Sequence, residues 1–470
     1  MEGRGLTERN TLQANSSRTQ RRDQDEPSGL ERVRHAAQRD RKARFTSLLH
    51  HITIDLLRYV FYRMNRKASP GVDGMTWEAY EKGLEERLQD LHGRVQRGAY
   101  RAKPSLRTYI PKADGGQRPL GLATFEDKLL QGAVVEVMNC IYEVDFCDES
   151  YGFRRGRGQH DALDALATAI IRRRVNWVLD ADIRGFFDSI DHALLMKGLE
   201  HRIGDRRLLR LIQKWLNAGA IDGQALTRMK EGTPQGAAIS PLLANIYLHY
   251  VLDLWLDRWS RKRARGEVYF VRYADDFVVC FQRSDDANRF LRDLRERLAE
   301  CHLALHDDKT RLIEFGTFAV ANREQRGDGK PPTFDFLGFT HICGKDRRGR
   351  YQLRRKPIKK RMRAKLREIK VELRRRMHLS ILAQSQWLTQ LLRGYFGYYA
   401  VPTSYRSLAA FRQLVIRLWY RTLRRRSQRH RLTWKRMRRL EEALLPKLKI
   451  RHPWPDARHT ANTQGRSPVR

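Results

Sequence analysis

The chain has 470 residues and a formal net charge of +39, from 93 Lys and Arg against 54 Asp and Glu. Its five cysteines (Cys140, Cys147, Cys280, Cys301, Cys343) form no C-x-x-C pair, which argues against a zinc knuckle and against a disulfide framework. No run approaches the roughly eighteen apolar residues of a membrane span, and the start, Met1-Glu2-Gly3-Arg4-Gly5, lacks a signal peptide's apolar core, so a reduced, cytoplasmic protein without membrane contact is expected.

Residues 1–40 are polar and charged with little periodicity, and read as a basic arm that is disordered or touches RNA. Further on, Asn176-Trp177-Val178-Leu179-Asp180-Ala181-Asp182-Ile183 predicts a strand that ends in acid, followed by Arg184-Gly185-Phe186-Phe187-Asp188. Val268–Arg272 and Phe277–Cys280-Phe281 are β-branched and aromatic, so both predict strands and place Tyr273-Ala274-Asp275-Asp276 at a hairpin tip. Adjacent carboxylates repel, and nothing in hairpin stability favours them over Asn-Gly or Asp-Gly. A divalent cation removes the repulsion, and oxygen donors suit Mg²⁺. An isolated Asp-Asp is usually an ordinary turn. A third carboxylate, Asp182, on a separate strand completes what two-metal phosphoryl transfer requires.

Other segments surround these in fixed order. Arg66-Lys67-Ala68-Ser69-Pro70-Gly71-Val72-Asp73-Gly74, Tyr109-Ile110-Pro111-Lys112, Gln117-Arg118-Pro119-Leu120-Gly121 and Ser150-Tyr151-Gly152-Phe153-Arg154 come first. Glu231-Gly232-Thr233-Pro234-Gln235-Gly236, leading into Ser240–Leu248, then His306-Asp307-Asp308-Lys309-Thr310 and Phe334-Asp335-Phe336-Leu337-Gly338-Phe339 follow. In this order they resemble the blocks of bacterial group II intron-encoded reverse transcriptases with attached maturases, from about Arg41 to Pro455. The resemblance implies an α+β right-hand polymerase fold. Fingers and palm with a small antiparallel sheet are expected over 41–344, a helical thumb over 345–405, and a basic maturase or DNA-binding tail over 406–470.

The same resemblance assigns roles. Asp182 and Asp275 make direct metal contacts, Asp276 supports them electrostatically, and the Ile183 carbonyl adds an oxygen; the cofactor is two Mg²⁺ ions, with Mn²⁺ as a substitute. Asp180 and Asp188 read as structural acids. Phe187, five positions after Asp182, matches the aromatic that excludes a 2′-hydroxyl; neighbours in extended chain point oppositely, so Phe186 is expected in the core. Lys112 and Arg118 match positions that hold triphosphate oxygens. Gln235 and Gly236 match a loop close to the incoming nucleotide, and Lys309 is a further nucleotide-site candidate.

From Lys345 onward 37 Lys and Arg face 6 Asp and Glu, a net +31 that leaves +8 for the rest. Such a tail calls for a polyanion. Trp387, Tyr395, Phe396, Tyr398, Tyr399, Trp419, Tyr420 and Trp434 are interleaved among its charges and favour nucleic acid. Gly344–Arg350 reads as a basic exit turn. Ile358, Met362, Leu366, Ile369 and Leu373 then predict one amphipathic helix, and Leu408, Phe411, Leu414, Val415, Leu418 and Leu423 another. Arg393–Tyr399 and Leu423–Gln428 resemble the thumb and maturase region, with Arg424, Arg425 and Arg426 as RNA-binding candidates. No cysteine follows Cys343, so the zinc-binding H-N-H nuclease of many relatives is not expected.

The expected function is RNA-directed DNA polymerisation with splicing assistance. The partners are group II intron RNA, target DNA, an RNA template with its primer, and dNTPs. Two alternatives remain: a domesticated enzyme of repair or phage defence, and an RNA-binding splicing factor without polymerase activity. The splicing factor would be free to lose its carboxylates, yet all three are present.

Overall fold

The computed structural model describes residues 28–111, 116–222, 225–227, 231–233, 236–426 and 432–458. Its strands, in chain order, are β1 (Ser105–Pro111), β2 (Gln117–Leu122), β3 (Trp177–Ala181), β4 (Ala220–Asp222), β5 (Ala225–Thr227), β6 (Val268–Tyr273), β7 (Asp276–Phe281), β8 (Arg311–Glu314), β9 (Phe334–Phe336), β10 (Phe339–Lys345) and β11 (Tyr351–Pro357). They form three sheets, ordered β2-β1-β4-β5, β6-β7-β3-β8 and β11-β10-β9. Helices cover the sheets, which gives the expected α+β architecture.

The antiparallel β6-β7-β3-β8 sheet is buried on both faces, which is why its strands read as unbroken apolar runs. Leu179, Ala181, Phe277, Val279 and Phe281 face a core shared with the helices Phe125–Asp145, Ser240–Leu248 and Ser284–Glu300. Val178, Val271, Val278, Cys280 and Ile313 face a second core with the helix Gln159–Arg172 and with Phe334, Phe336, Phe339 and Leu353. Each strand thus alternates between two interiors. Only its ends are left for polar chemistry.

The structure corrects several expectations. Part of the arm expected over residues 1–40 is a helix, Ser28–Arg39, that buries Leu30, Val33 and Ala37. That i, i+3, i+7 stripe is short and lost among charges. Residues 1–27 lie outside the described residues. The turn after Gly344 joins β10 to β11 in a continuous hairpin, so a boundary between 344 and 345 falls inside β10. The helices Lys359–Arg375, Ile381–Tyr399, Tyr405–Arg424 and Trp434–Leu444 share one core that runs across residue 405.

That core also absorbs most of the aromatics read as nucleic-acid contacts. Tyr395, Phe396, Trp419 and Tyr420 are buried, and the Trp419 indole donates to Gln384 Oε1 at 2.9 Å. Trp434 is the exposed one, stacked on Tyr420. Both stripes pack inward at Ile369, Leu373, Leu408, Phe411, Val415 and Leu423, whereas Leu414 is exposed. Ile358 precedes its helix rather than lying in it.

Candidate active site

The β6–β7 turn is as short as a hairpin allows: Tyr273 pairs with Asp276, leaving Ala274 and Asp275 as the loop. Ala274 takes φ 58°. Two-residue hairpin turns demand such a residue, and a side chain there costs roughly 1–2 kcal/mol. Buried polar contacts offset this. Arg272 Nη1 donates to the Ala274 carbonyl at 2.9 Å and to Asn245 Oδ1 at 3.0 Å. The same guanidinium forks onto Asp253 at 2.7 and 2.5 Å, with both side chains wholly buried. Asn245 Nδ2 then donates to the Gly152 carbonyl at 2.7 Å. Gly152 sits against the turn so closely that a β-carbon would fall 2.2 Å from the Ala274 nitrogen.

The sequence alone assigned no role to Arg272, Asp253, Asn245 or Gly152. A signal existed, since a charge inside the apolar run Val268–Phe281 needs a buried partner. That partner, Asp253, lies on a segment whose sequence does not announce it.

Ala181 pairs with Phe277, so the next residue, Asp182, stands opposite Asp276 where the two strands end. Period-two alternation puts Asp180, Asp182 and Asp276 on one face. Asp276 reaches the surface but protein surrounds it closely. That burial, with the charges of Asp275 and Asp182, pushes its pKa up to about 6. Beyond β3 the chain pairs Ile183 with Leu305. The flanking bonds, Arg184 N–H to Ala304 and His306 N–H to the Asp182 carbonyl, turn the Ile183 carbonyl away from that pairing. A turn closed by the Lys309 and Thr310 amides on the His306 carbonyl delivers Lys309 Nζ to 2.7 Å from Asp182 Oδ2. Asp180 is set deeper: burial pushes its pKa up to about 7 although Arg311 lies 3.5 Å away, which fits a structural acid.

Among the described residues, no three His, Cys, Asp or Glu side chains stand in ready coordination geometry. The donor chemistry nevertheless suits a hard cation: Asp182, Asp275 and Asp276 offer only carboxylate oxygens, their charges oppose one another, and a lysine ammonium is drawn onto one of them.

Residues 110–341 match the family described as reverse transcriptase (RNA-dependent DNA polymerase). Protein YkfC of Escherichia coli (strain K12) is 35% identical over 274 residues, which cover 52% of this chain and 72% of that one. This chain belongs to the reverse transcriptase family. Its kinship lies with the intron-encoded members. Group II intron-encoded protein LtrA of Lactococcus lactis subsp. cremoris is 36% identical over 248 residues, covering 51% of this chain and 41% of LtrA. The uncharacterized 91 kDa protein in the cob intron of Schizosaccharomyces pombe is 38% identical over 178 residues, covering 38% of this chain and 21% of that one. This reverse transcriptase therefore spans well under two thirds of the length of those two intron proteins. Its family generally uses divalent metal ions.

Other positions read from the sequence of this reverse transcriptase are distributed as follows. Phe186 and Phe187 lie in a 3₁₀ turn, Phe186–Asp188, rather than in extended chain. Phe186 is buried all the same and Phe187 half-buried, because successive residues of that turn diverge by about 120°. Thr233 N–H donates to the Phe187 carbonyl at 2.8 Å, and Gly232 N–H to that of Ile190 at 2.8 Å. These bonds hold Gly232 and Thr233 beside the Phe187 turn; at Gly236 φ is 108° and a β-carbon would fall 2.8 Å from the Gly121 carbonyl of β2. Gly236 thus closely approaches backbone of the β1–β2 hairpin. Lys112 and Gln235 lie outside the described residues. Arg118 is in β2, opposite Ile110, with its side chain outside the description.

The tail cluster divides. Arg424 and Arg425 are exposed, Arg424 lying 5.8 Å from the Tyr420 ring. Arg426 is half-buried and its Nε donates to the Met377 carbonyl at 2.5 Å, tying together the turns that follow the helices Lys359–Arg375 and Tyr405–Arg424.

Proposed function

We propose that this reverse transcriptase is an RNA-directed DNA polymerase joined to a splicing maturase and encoded within a group II intron. The observation that carries the reading is the meeting of Asp182, Asp275 and Asp276 where β3 and the β6–β7 hairpin end. Asp182 and Asp275 would hold two Mg²⁺ ions (or Mn²⁺), with Asp276 adding negative charge and the Ile183 carbonyl a further oxygen. When bound, the ions would activate the primer's 3′-hydroxyl and neutralise the triphosphate. Phe187 would sit beneath the sugar and reject a 2′-hydroxyl. Gly236 and Gln235 would border the incoming dNTP. Lys112, Arg118 and Lys309 would supply positive charge to its phosphates.

The strongly cationic C-terminal part supports the maturase half of the reading. Its partners would be intron RNA, target DNA and the RNA template with its primer. Among the described residues no helix is long and apolar enough to cross a membrane.

The deciding experiment is primer extension on an RNA template by the parent and by Asp182→Asn and Asp275→Asn. The parent should make cDNA and both variants should not, because a neutral amide cannot anchor the ions. Splicing assistance, which needs binding alone, should survive. Undiminished extension by either variant would overturn the assignment.

A further inference from the structure

Four non-glycine residues among those described have positive φ: Phe153, Ala274, His302 and Leu337. Two of them, Phe153 and Ala274, meet at one place. Gly152 presses on the Ala274 nitrogen, and Phe153 is the next residue, at φ 57°. Glycine, asparagine or aspartate suits that backbone; a bulky aromatic is an outlier there.

Among the described residues, Phe153 joins none of the three hydrophobic cores. Phe153 is 54% exposed, between the buried Gly152 and Arg154. The backbone around it is held firmly. Arg154 Nη1 donates to the Cys147 carbonyl at 2.6 Å and to the Ser150 carbonyl at 2.8 Å, and its Nε donates to Glu143 at 3.1 Å. Tyr151 N–H donates to the Arg272 carbonyl at 2.8 Å, and Arg272 N–H to the Glu149 carbonyl at 2.9 Å. A hydrogen-bonded frame thus holds a half-exposed apolar ring beside the Asp275–Asp276 turn, in a backbone conformation the ring disfavours. Such a conformation persists where function uses it.

The sheet order identifies the side of the turn on which the ring lies. Ser150 bridges Arg272 along the outer edge of β6, while Asp182 and the chain leading to Phe187 belong to β3, across β7. Phe153 is therefore beyond the Asp275–Asp276 turn from the proposed nucleotide pocket. In phosphoryl transfer the attacking and leaving oxygens are roughly in line, so the strand bearing the attacking hydroxyl arrives opposite the triphosphate.

We propose that Phe153 is a primer-strand contact, its ring packed on the sugar or base of the terminal nucleotides of a strand ending in a 3′-hydroxyl. This rests on the polymerase reading above. The ring would stack without base selectivity, as aromatic platforms for single strands do, and would hold the 3′-hydroxyl against the carboxylates.

The test uses the full chain with Phe153→Gly, Phe153→Asn and Phe153→Tyr. Binding of a labelled DNA primer annealed to an RNA template is read by anisotropy without dNTPs, beside melting temperature and steady-state extension. The Gly and Asn variants should melt no lower than the parent, since both tolerate the left-handed backbone. Their Kd for the primed template should rise about tenfold, with KM for dNTP unchanged, and their affinity for the unprimed RNA should stay at the parent's value. Tyr should bind as the parent does. Parental affinity of the Gly variant for the primed template overturns the proposal, and so does an equal loss on the unprimed RNA. If the parent makes no cDNA but the Gly variant still loses primed-template affinity, the contact stands and the polymerase reading falls.

Discussion

The ammonium of Lys309 lies 2.7 Å from Asp182 Oδ2, on the carboxylate that faces Asp276 across the end of the sheet. A cation bound there must displace it. Lys309→Met should therefore tighten divalent-ion binding to the nucleotide-free protein, by about fivefold for an ion pair worth roughly 1 kcal/mol. It should also slow extension if the lysine serves the triphosphate. Mn²⁺ titration followed by electron paramagnetic resonance reads the first effect, and unchanged binding would mean the pair is incidental.

The Arg272–Asp253 pair is wholly buried, so removing one partner leaves the other charge stranded. Arg272→Met should cost about 3–5 kcal/mol of stability, measured by denaturant unfolding. Gly152→Ala separates stability from positioning. Its methyl must push the Ala274 amide aside, and a displacement near 1 Å can cost about a hundredfold in rate. Extension rate should fall far more than the melting temperature suggests.

Phe187→Val tests sugar selection. Trimming the ring opens room beneath the ribose while the buried Phe186 keeps the turn packed. The ratio of kcat/KM for ribonucleotide over deoxyribonucleotide should rise. An unchanged ratio in a folded variant would move the gate to another residue.

Charge reversal in the tail should spare Arg426, whose bond to the Met377 carbonyl is structural. Arg424→Glu with Arg425→Glu should weaken intron-RNA binding and flatten the log Kd against log salt line by about one to two units, as phosphate contacts are lost. KM for dNTP on a short primed template should hardly move. Equal salt slopes in variant and parent would reduce this cluster to a solvated face.

His341 gives a stability prediction. It is buried in β10, opposite Arg355 of β11 and stacked on Phe334 of β9 at 4.7 Å. Burial, then the Arg355 charge, push its pKa down to about 3. Above about pH 6.5 the ring is neutral in both folded and unfolded chains. As pH falls below that, the unfolded chain takes up the proton and the folded one does not, so roughly 1.4 kcal/mol is lost per pH unit until the folded pKa is neared. His341→Phe keeps the stack and removes this loss. Its fall in melting temperature between pH 7 and pH 5 should be smaller than the parent's; equal falls would mean the site admits the proton.

Local chemistry alone makes the centre of the site legible in the sequence. β-Branched and aromatic runs on both sides of Ala274 and Asp275 can form little but a hairpin, and an acid at the end of an apolar strand, as at Asp182, is conspicuous. The same locality misleads in the tail. Trp419 and Tyr395 look like nucleic-acid contacts because charges surround them in sequence, yet helix periodicity turns those charges outward and the rings inward. What only the tertiary structure decided are relations between distant segments. The Asp253 carboxylate under Arg272, the Gly152 backbone against Ala274 and the lysine on Asp182 join elements whose separate sequences carry no mark of one another. The first two are selected by burial and the third by the turn that carries Lys309 to Asp182, and both exist only once the chain has closed on itself.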